Sequence, residues 1–184
     1  VAADVNDGSN DACGIASMTV SPNTFDCLNV GANTVTLTVT DNNGNVSTAT
    51  SVVTIEDNVN PIAIAQNITI QLDASGQSSI VTGDIDNGSN DACGIATYVL
   101  SQYAFDCSHV GANTITLTVS DNNGNASSTT SIVTVEDNVV PVVIAQDITI
   151  QLDASGHANI TTGDIDNGSN DACGIATYSL SQNS

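Results

Sequence analysis

The stretch NTVTLTVTD, residues 33–41, decides the fold. Val35, Leu37 and Val39 alternate with Thr34, Thr36, Thr38 and Thr40, the period of two that puts one face of a strand in a core and the other in water. Outward from it, SVVTIED (51–57), NITIQLD (67–73) and ATYVLS (96–101) read the same way. DNNGN, DASG and DNGSND between them are turn formers. Short strands, regular turns and no helical periodicity predict an all-β chain of antiparallel β-sandwiches. The Thr-x-Thr runs follow from β-propensity; an ice-binding face needs closely stacked coils of short period.

The unit that folds is set by an internal period. Residues 1–80 laid over 81–160 without a gap give 52 identities in 80 positions, and residues 161–184 match 81–104 at 20 of 24. NDACGIA begins at Asn10, Asn90 and Asn170, VGANT at Val30 and Val110, DNNGN at Asp41 and Asp121, and QLDASG at Gln71 and Gln151. A period of 80 is too long for a solenoid coil and suits one small domain per repeat. Without an initiator Met or signal peptide, the chain reads as a window of a longer one.

Charge excludes several functions. The chain holds 20 acidic residues and no Lys or Arg, a formal charge of -20. Nucleic acid and anionic lipid are held mainly through Lys and Arg, so neither is an expected partner. Lysine chemistry is absent, isopeptide crosslinks included. No apolar run approaches the roughly 20 residues that cross a bilayer, so no membrane insertion is expected in this segment. An apolar content of 40%, in period-2 runs, argues against a disordered acidic tail.

From the proline, PIAIAQNITIQLDASG, NDACGIA, FDCSHVGANTITLTVSDNNGN and SIVTVEDN follow in order. This order resembles the hyalin repeat (HYR) and related bacterial immunoglobulin-like domains. The resemblance implies tandem seven-strand sandwiches in an elongated rod. One complete domain would span 58–138, between a 1–57 domain lacking its first strand and a 139–184 domain lacking its second half. The near-identical copies, rich in Asn, Thr and Asp and free of basic residues, also resemble giant surface adhesins of gliding Bacteroidetes-type bacteria.

Hyalin repeats often carry cysteines after the proline and in the last strand, where this chain has Ile64 or Ala65 and Val53. Here Cys13 and Cys27, and equally Cys93 and Cys107, are 14 apart. Disulfides within each repeat are expected, with Cys173 left for a partner beyond the chain. Zinc is the rival, but no C-x-x-C or Cys/His cluster accompanies them, and His109 and His157 have no counterpart in the first repeat. A closed loop of about 15 residues stabilises by roughly 3 kcal/mol on the loop-entropy account. Disulfides imply an extracellular, cell-surface setting.

The carboxylates carry the most chemistry. Three acidic strings recur: Asp84–Asp91, Asp121–Asn125 and the EDN before each proline. In an immunoglobulin-like sandwich the B–C loop, the F–G loop and the entering linker lie at one end. Asp84, Asp86, Asp91, Asp121 and Asn123 are therefore expected beside Glu56, Asp57 and Asn58. The same reading places Asp4, Asp7, Asp11, Asp41 and Asn43 in the first repeat, and Glu136, Asp137, Asn138, Asp164, Asp166 and Asp171 at the next joint. With no cation inside the chain, calcium is the expected partner: it takes 6 to 8 oxygens from such groups. An EF-hand is excluded, since Ile95 stands twelfth from Asp84, where a bidentate Glu is needed. EDN-x-x-P partly resembles the cadherin D-x-N-D-N-x-P linker. DNNGN also reads as a plain hairpin turn and EDN as a solvated linker.

Catalysis finds no support. Ser-His-Asp chemistry needs a His in every unit, and the chain has no Trp, 3 Tyr and 2 Phe to build a sugar platform. The sequons at Asn45, Asn67, Asn87, Asn125, Asn159 and Asn167 fit a surface location. Two functions remain: a calcium-stiffened stalk or filament body of a large adhesin, or a multivalent calcium-dependent module for sugar or protein. The partners are then neighbouring repeats, other copies in a fibre, or a surface or glycan ligand. Tyr98 and Tyr178 recur but become Met18 in the first repeat, which favours the stalk. Halophilic adaptation without a specific metal is a third account of the acidity.

Overall fold

The computed structural model describes residues 2–181. It is all-β, built mostly of antiparallel strand pairs, with two single α-helical turns and two 3-10 turns among the described residues. The chain divides into two compact units, one of residues 1–61, 90–96 and 120–126, the other of 62–89, 97–119 and 127–184.

In the first repeat, β1 (Ile15–Ser21), β2 (Gly31–Asp41) and β3 (Val46–Ile55) form one sheet with β2 in the middle. The quoted stretch is β2, where Val35 and Leu37 are buried. Its register against β3, from Gly31↔Ile55 to Thr40↔Val46, is fixed by the DNNGN turn. The Asp41 carboxylate accepts the amides of Asn43 and Asn45, both at 2.8 Å, and Gly44 takes the left-handed φ of 86° that the turn requires.

The second repeat supplies β4 (Ile68–Gln71), β5 (Gln77–Ser79), α1 (Thr82–Ile85), β6 (Ile95–Leu100), β7 (Ala104–Asp106), β8 (Gly111–Asp121) and β9 (Ala126–Glu136). A four-stranded sheet runs β4-β9-β8-β6 and a two-stranded sheet pairs β5 with β7. β4 lies parallel to β9, Ile68 opposite Val133 and Gln71 opposite Glu136, so that one edge of the sheet is a strand of only four residues, too short to template pairing with another chain. The core follows the period of two: Ile115, Leu117 and Val119 of β8 and Val133 and Val135 of β9 are buried. Leu72, Ile80, Leu100 and Phe105 are buried with them, and Ile85 of α1 is fully enclosed. Truncating a side chain such as Leu117 to Ala costs about 2–5 kcal/mol.

From residue 139 to 181 the described chain forms a single helical turn, α2 (Thr162–Ile165), and two β-bridges, Val142↔Asn170 and Ala145↔Asp166. Ile148, Ile150 and Leu152 match Ile68, Ile70 and Leu72 of the second repeat yet stay exposed. β4 is held by β9, and no strand among the described residues pairs with residues 148–152.

Candidate functional site

Three local devices shape the acidic strings. The first is the DACG turn. Asp91 Oδ1 accepts the amide of Cys93 at 2.7 Å, Gly94 N donates to Asp91 O at 3.3 Å, and Asn122 Nδ2 donates to Cys93 O at 3.0 Å. Asp171 holds Cys173 in the same way at 2.8 Å, as Asp11 holds Cys13 at 2.7 Å. A short polar side chain bonding the backbone two residues on is the Asx turn these sequences favour.

The second is the FDC segment. Asp26 caps a 3-10 turn over Cys27–Asn29 by accepting the Leu28 amide at 2.9 Å, and Asp106 caps Cys107–His109 through Ser108. His109 adds a 2.8 Å contact from Nδ1 to Asp106. Each cap presents its cysteine at the start of the turn.

These cysteines correct the expected pairing. Cys27 is bonded to Cys93 and Cys107 to Cys173, with Cα–Cα distances of 5.1 Å, and Cys13 is free and exposed. Cys13 with Cys27, and Cys93 with Cys107, do not pair because the 14-residue spacing contains a strand. β1 or β6 carries the chain about 20 Å, beyond the roughly 7 Å Cα limit of a disulfide. Each bridge instead joins the FDC segment of one repeat to the DACG turn of the next, closing a separation of 66 residues. On the loop-entropy account this longer closure is worth about 4 kcal/mol each.

The third is the EDN linker. Asp57 Oδ1 accepts the amide of Val59 at 3.0 Å, and Asp137 accepts that of Val139 at 3.0 Å. In one compact unit, oxygens of Asp57 and Asp91 and the sulfur of Cys93 lie within 4.8 Å of one another. In the other unit Asp137, Asp171 and Cys173 repeat the arrangement. Both sulfurs belong to disulfides and offer no thiolate, so the chemistry is that of paired carboxylates. Asp57 Oδ2 and Asp171 Oδ2 are buried and accept no hydrogen bond. Two adjacent carboxylates with a buried, unsatisfied oxygen and no Lys or Arg in the chain fit a hard cation. Asp57 with Asp91, and Asp137 with Asp171, would hold it. It would supply charge neutralisation at the joint.

The other candidates use their carboxylates locally. Asp121 is buried and accepts Asn123 N and Asn125 N at 2.8 Å and Asn125 Nδ2 at 2.7 Å. Burial, the largest influence on Asp121, raises its pKa. Hydrogen bonds from Asn125, Asn123 and Gly124 together outweigh it and hold the carboxyl below its usual 3.8. Asp41, bonded first by Asn45, is likewise lowered. Asp84 Oδ2 accepts the Val81 amide at 2.7 Å and Asp164 accepts Thr161, capping α1 and α2. Asp86 and Asp166 accept the amides of Ser89 and Ser169 at 3.1 Å. Glu56 receives Asn58 at 3.2 Å, whereas Glu136 and Asn138 are tied to Gln71 of β4. Asn43 and Asn123 are exposed on their turns, as are Asp4, Asp7 and Asp11 near the start of the first repeat.

One connection went unread in the sequence. Asn125 Nδ2 also donates to the carbonyl of Asp57 at 3.0 Å, tying the β8–β9 turn to the EDN linker. The recurrence of Asn as the last residue of DNNGN was its only signal.

No protein-family model matches the sequence, and no curated protein does. Among solved structures the chain is similar to cadherin extracellular domains. Domains 1–4 of protocadherin gamma B7 match at 13% identity over 75% of this chain and 46% of that one, with a TM-score of 0.37. The protocadherin gamma B4 extracellular domain matches at 16% over 73% and 28%, with a TM-score of 0.38. Domains 1–3 of a mouse clustered protocadherin, gamma C3, match at 17% over 61% and 45%, with a TM-score of 0.32. The chain spans less than half the length of each. No helix among the described residues is long and apolar enough to cross a membrane.

Proposed function

We propose that this chain is part of the stalk or filament body of a large secreted or cell-surface adhesin, stiffened by calcium at the joints between repeats. The observation that carries the reading is the pairing of Asp57 with Asp91, and of Asp137 with Asp171, with a buried oxygen in each pair that accepts no hydrogen bond. Like charges at close range are costly without a counterion, and the chain contains no Lys or Arg to serve. Calcium relieves that cost only when each repeat meets the next, so it would set the joint rather than the domain.

Two carboxylates leave most of the 6 to 8 oxygen positions to backbone carbonyls and water, which predicts an affinity of about 10⁻⁴–10⁻³ M, in the range of extracellular modules. Calorimetric titration checks this, together with melting curves in CaCl2 and in NaCl of equal ionic strength. Calcium at ten times its Kd adds about 1.4 kcal/mol to stability, and the melting temperature rises above that in NaCl. Equal melting in the two salts refutes the calcium joint and favours general screening of the acidic surface.

A further inference from the structure

The covalent connectivity of the chain carries a mechanical consequence. The loops closed by Cys27–Cys93 and Cys107–Cys173 each span 66 residues and do not overlap. They follow one another in series, with only the 14-residue step from Cys93 to Cys107 between them. We propose that the chain is an inextensible, load-bearing tether in which tension passes through the disulfides and bypasses residues 28–92 and 108–172.

A string of sandwich domains without such bridges lengthens under load. Each 80-residue repeat that opens releases up to about 280 Å of chain. Here the path through one repeat is a bridge plus 14 residues, at most about 50 Å when taut. Most of that path is already extended, because β6 and β7 lie within it, and a strand rises about 3.3 Å per residue. Opening the fold therefore releases less than about 50 Å per repeat, against up to about 280 Å without the bridge. The bypassed residues include both EDN linkers and the hairpin β8–β9, so the joints themselves carry no tension along their backbone. The 66- and 14-residue separations make up the 80-residue period, and each further repeat with the same cysteines adds one more link of the same kind. This property rests on the bridges alone and is independent of calcium.

Single-molecule stretching of the full chain between handles at its two ends tests it, with Cys13 alkylated beforehand to prevent exchange. The oxidised chain is expected to reach a taut length of at most about 190 Å, set by residues 1–27, 93–107 and 173–184 and the two bridges, and reduction by a phosphine to add about 230 Å for each bridge. A second measurement does not depend on folding. Glu56 and Glu136 are the only glutamates, one inside each closed loop, so a glutamate-specific protease in denaturant cuts the backbone twice without cutting the path. The cut chain should stay in one piece and hold tension until reduced, when it falls into three fragments that also confirm both cuts. Equal extension of the oxidised and reduced chains, or separation of the cut chain without reductant, overturns the proposal.

Discussion

Asn125 donates from one amide nitrogen to two acceptors 64 residues apart in sequence, the carboxylate of Asp121 at 2.7 Å and the carbonyl of Asp57 at 3.0 Å. The β8–β9 turn is thereby tied to the linker that brings Asp57 to Asp91. Asn45 makes the matching 2.7 Å bond to Asp41 in the first repeat. Asn125→Ala removes both bonds and leaves Asp121 Oδ2 without its donor. Calorimetry is expected to show a fall in melting temperature on the order of 5 °C, the size of one lost buried hydrogen bond in a domain of this length.

The paired carboxylates separate the calcium reading from simple acidity. Asp57→Asn and Asp91→Asn each remove one charge from the first joint, while Asp84→Asn removes one from a helix cap. Calorimetric titration should lose one set of sites in the first two variants and keep it in the third. Affinity for the lost site should fall at least tenfold, because a two-carboxylate site has no spare anionic ligand. If Asp84→Asn abolishes the same binding, Asp84 is a ligand and the site is not the Asp57–Asp91 pair.

Much of this fold is legible in residues 33–41: the alternation of Val35 and Leu37 with threonine becomes β2, and its copy becomes β8. The clustering of Asp57 with Asp91 follows from the same reasoning, since topology places linker and turn at one end of a sandwich. That the cysteines form disulfides was legible; their pairing was not. Five cysteines at two alternating spacings allow pairing within a repeat, leaving Cys173 over, or across repeats, leaving Cys13 over, and the count is the same. Only the length of β1 and β6 decides between them. Nor does sequence distinguish a carboxylate that caps a turn from one left to bind. Asp121 and Asp57 both accept a turn amide on Oδ1, and the difference lies in Oδ2, which takes Asn125 Nδ2 in Asp121 and accepts no hydrogen bond in Asp57.

Acid should act through the turn carboxylates. Asp41, Asp73, Asp106, Asp121, Asp164 and Asp166 all have pKa values held below the ordinary 3.8. A carboxyl whose folded pKa is depressed adds stability that is present above its unfolded pKa and is lost as pH falls through the folded value. Asp121→Asn, which sets an amide against Asn125 Nδ2, should therefore melt several degrees below the wild type at pH 7. The gap should be constant from pH 7 to about pH 5, narrow below 3.8 and close once the pH has fallen through the depressed folded value. Melting curves followed by circular dichroism across that range check it, and a gap that widens on acidification would show the sign to be wrong.

Gly76 packs against the second bridge. Its φ of 73° is left-handed, and a Cβ there would stand 2.6 Å from Cys107 Sγ and 3.1 Å from the Cβ of Ala172. Gly156, its equivalent one repeat on, has φ of 79° with nothing within 4 Å of the same position. The two glycines form an internal control. Gly76→Ala and Gly156→Ala share the backbone cost of a left-handed alanine, about 1–2 kcal/mol, so that cost cancels in the comparison. Gly76→Ala alone must also push a methyl into a disulfide, and overpacking of this kind adds about 1–3 kcal/mol. Relief is available only by moving the sulfur, so part of the strain should appear as slower closure of Cys107 with Cys173. Thiol titration after refolding should find one free cysteine, Cys13, in the wild type and in Gly156→Ala. In Gly76→Ala it should approach three until oxidation is complete. Equal melting temperatures and equal thiol counts for the two variants would mean that the QLDASG turn does not bear on the bridge.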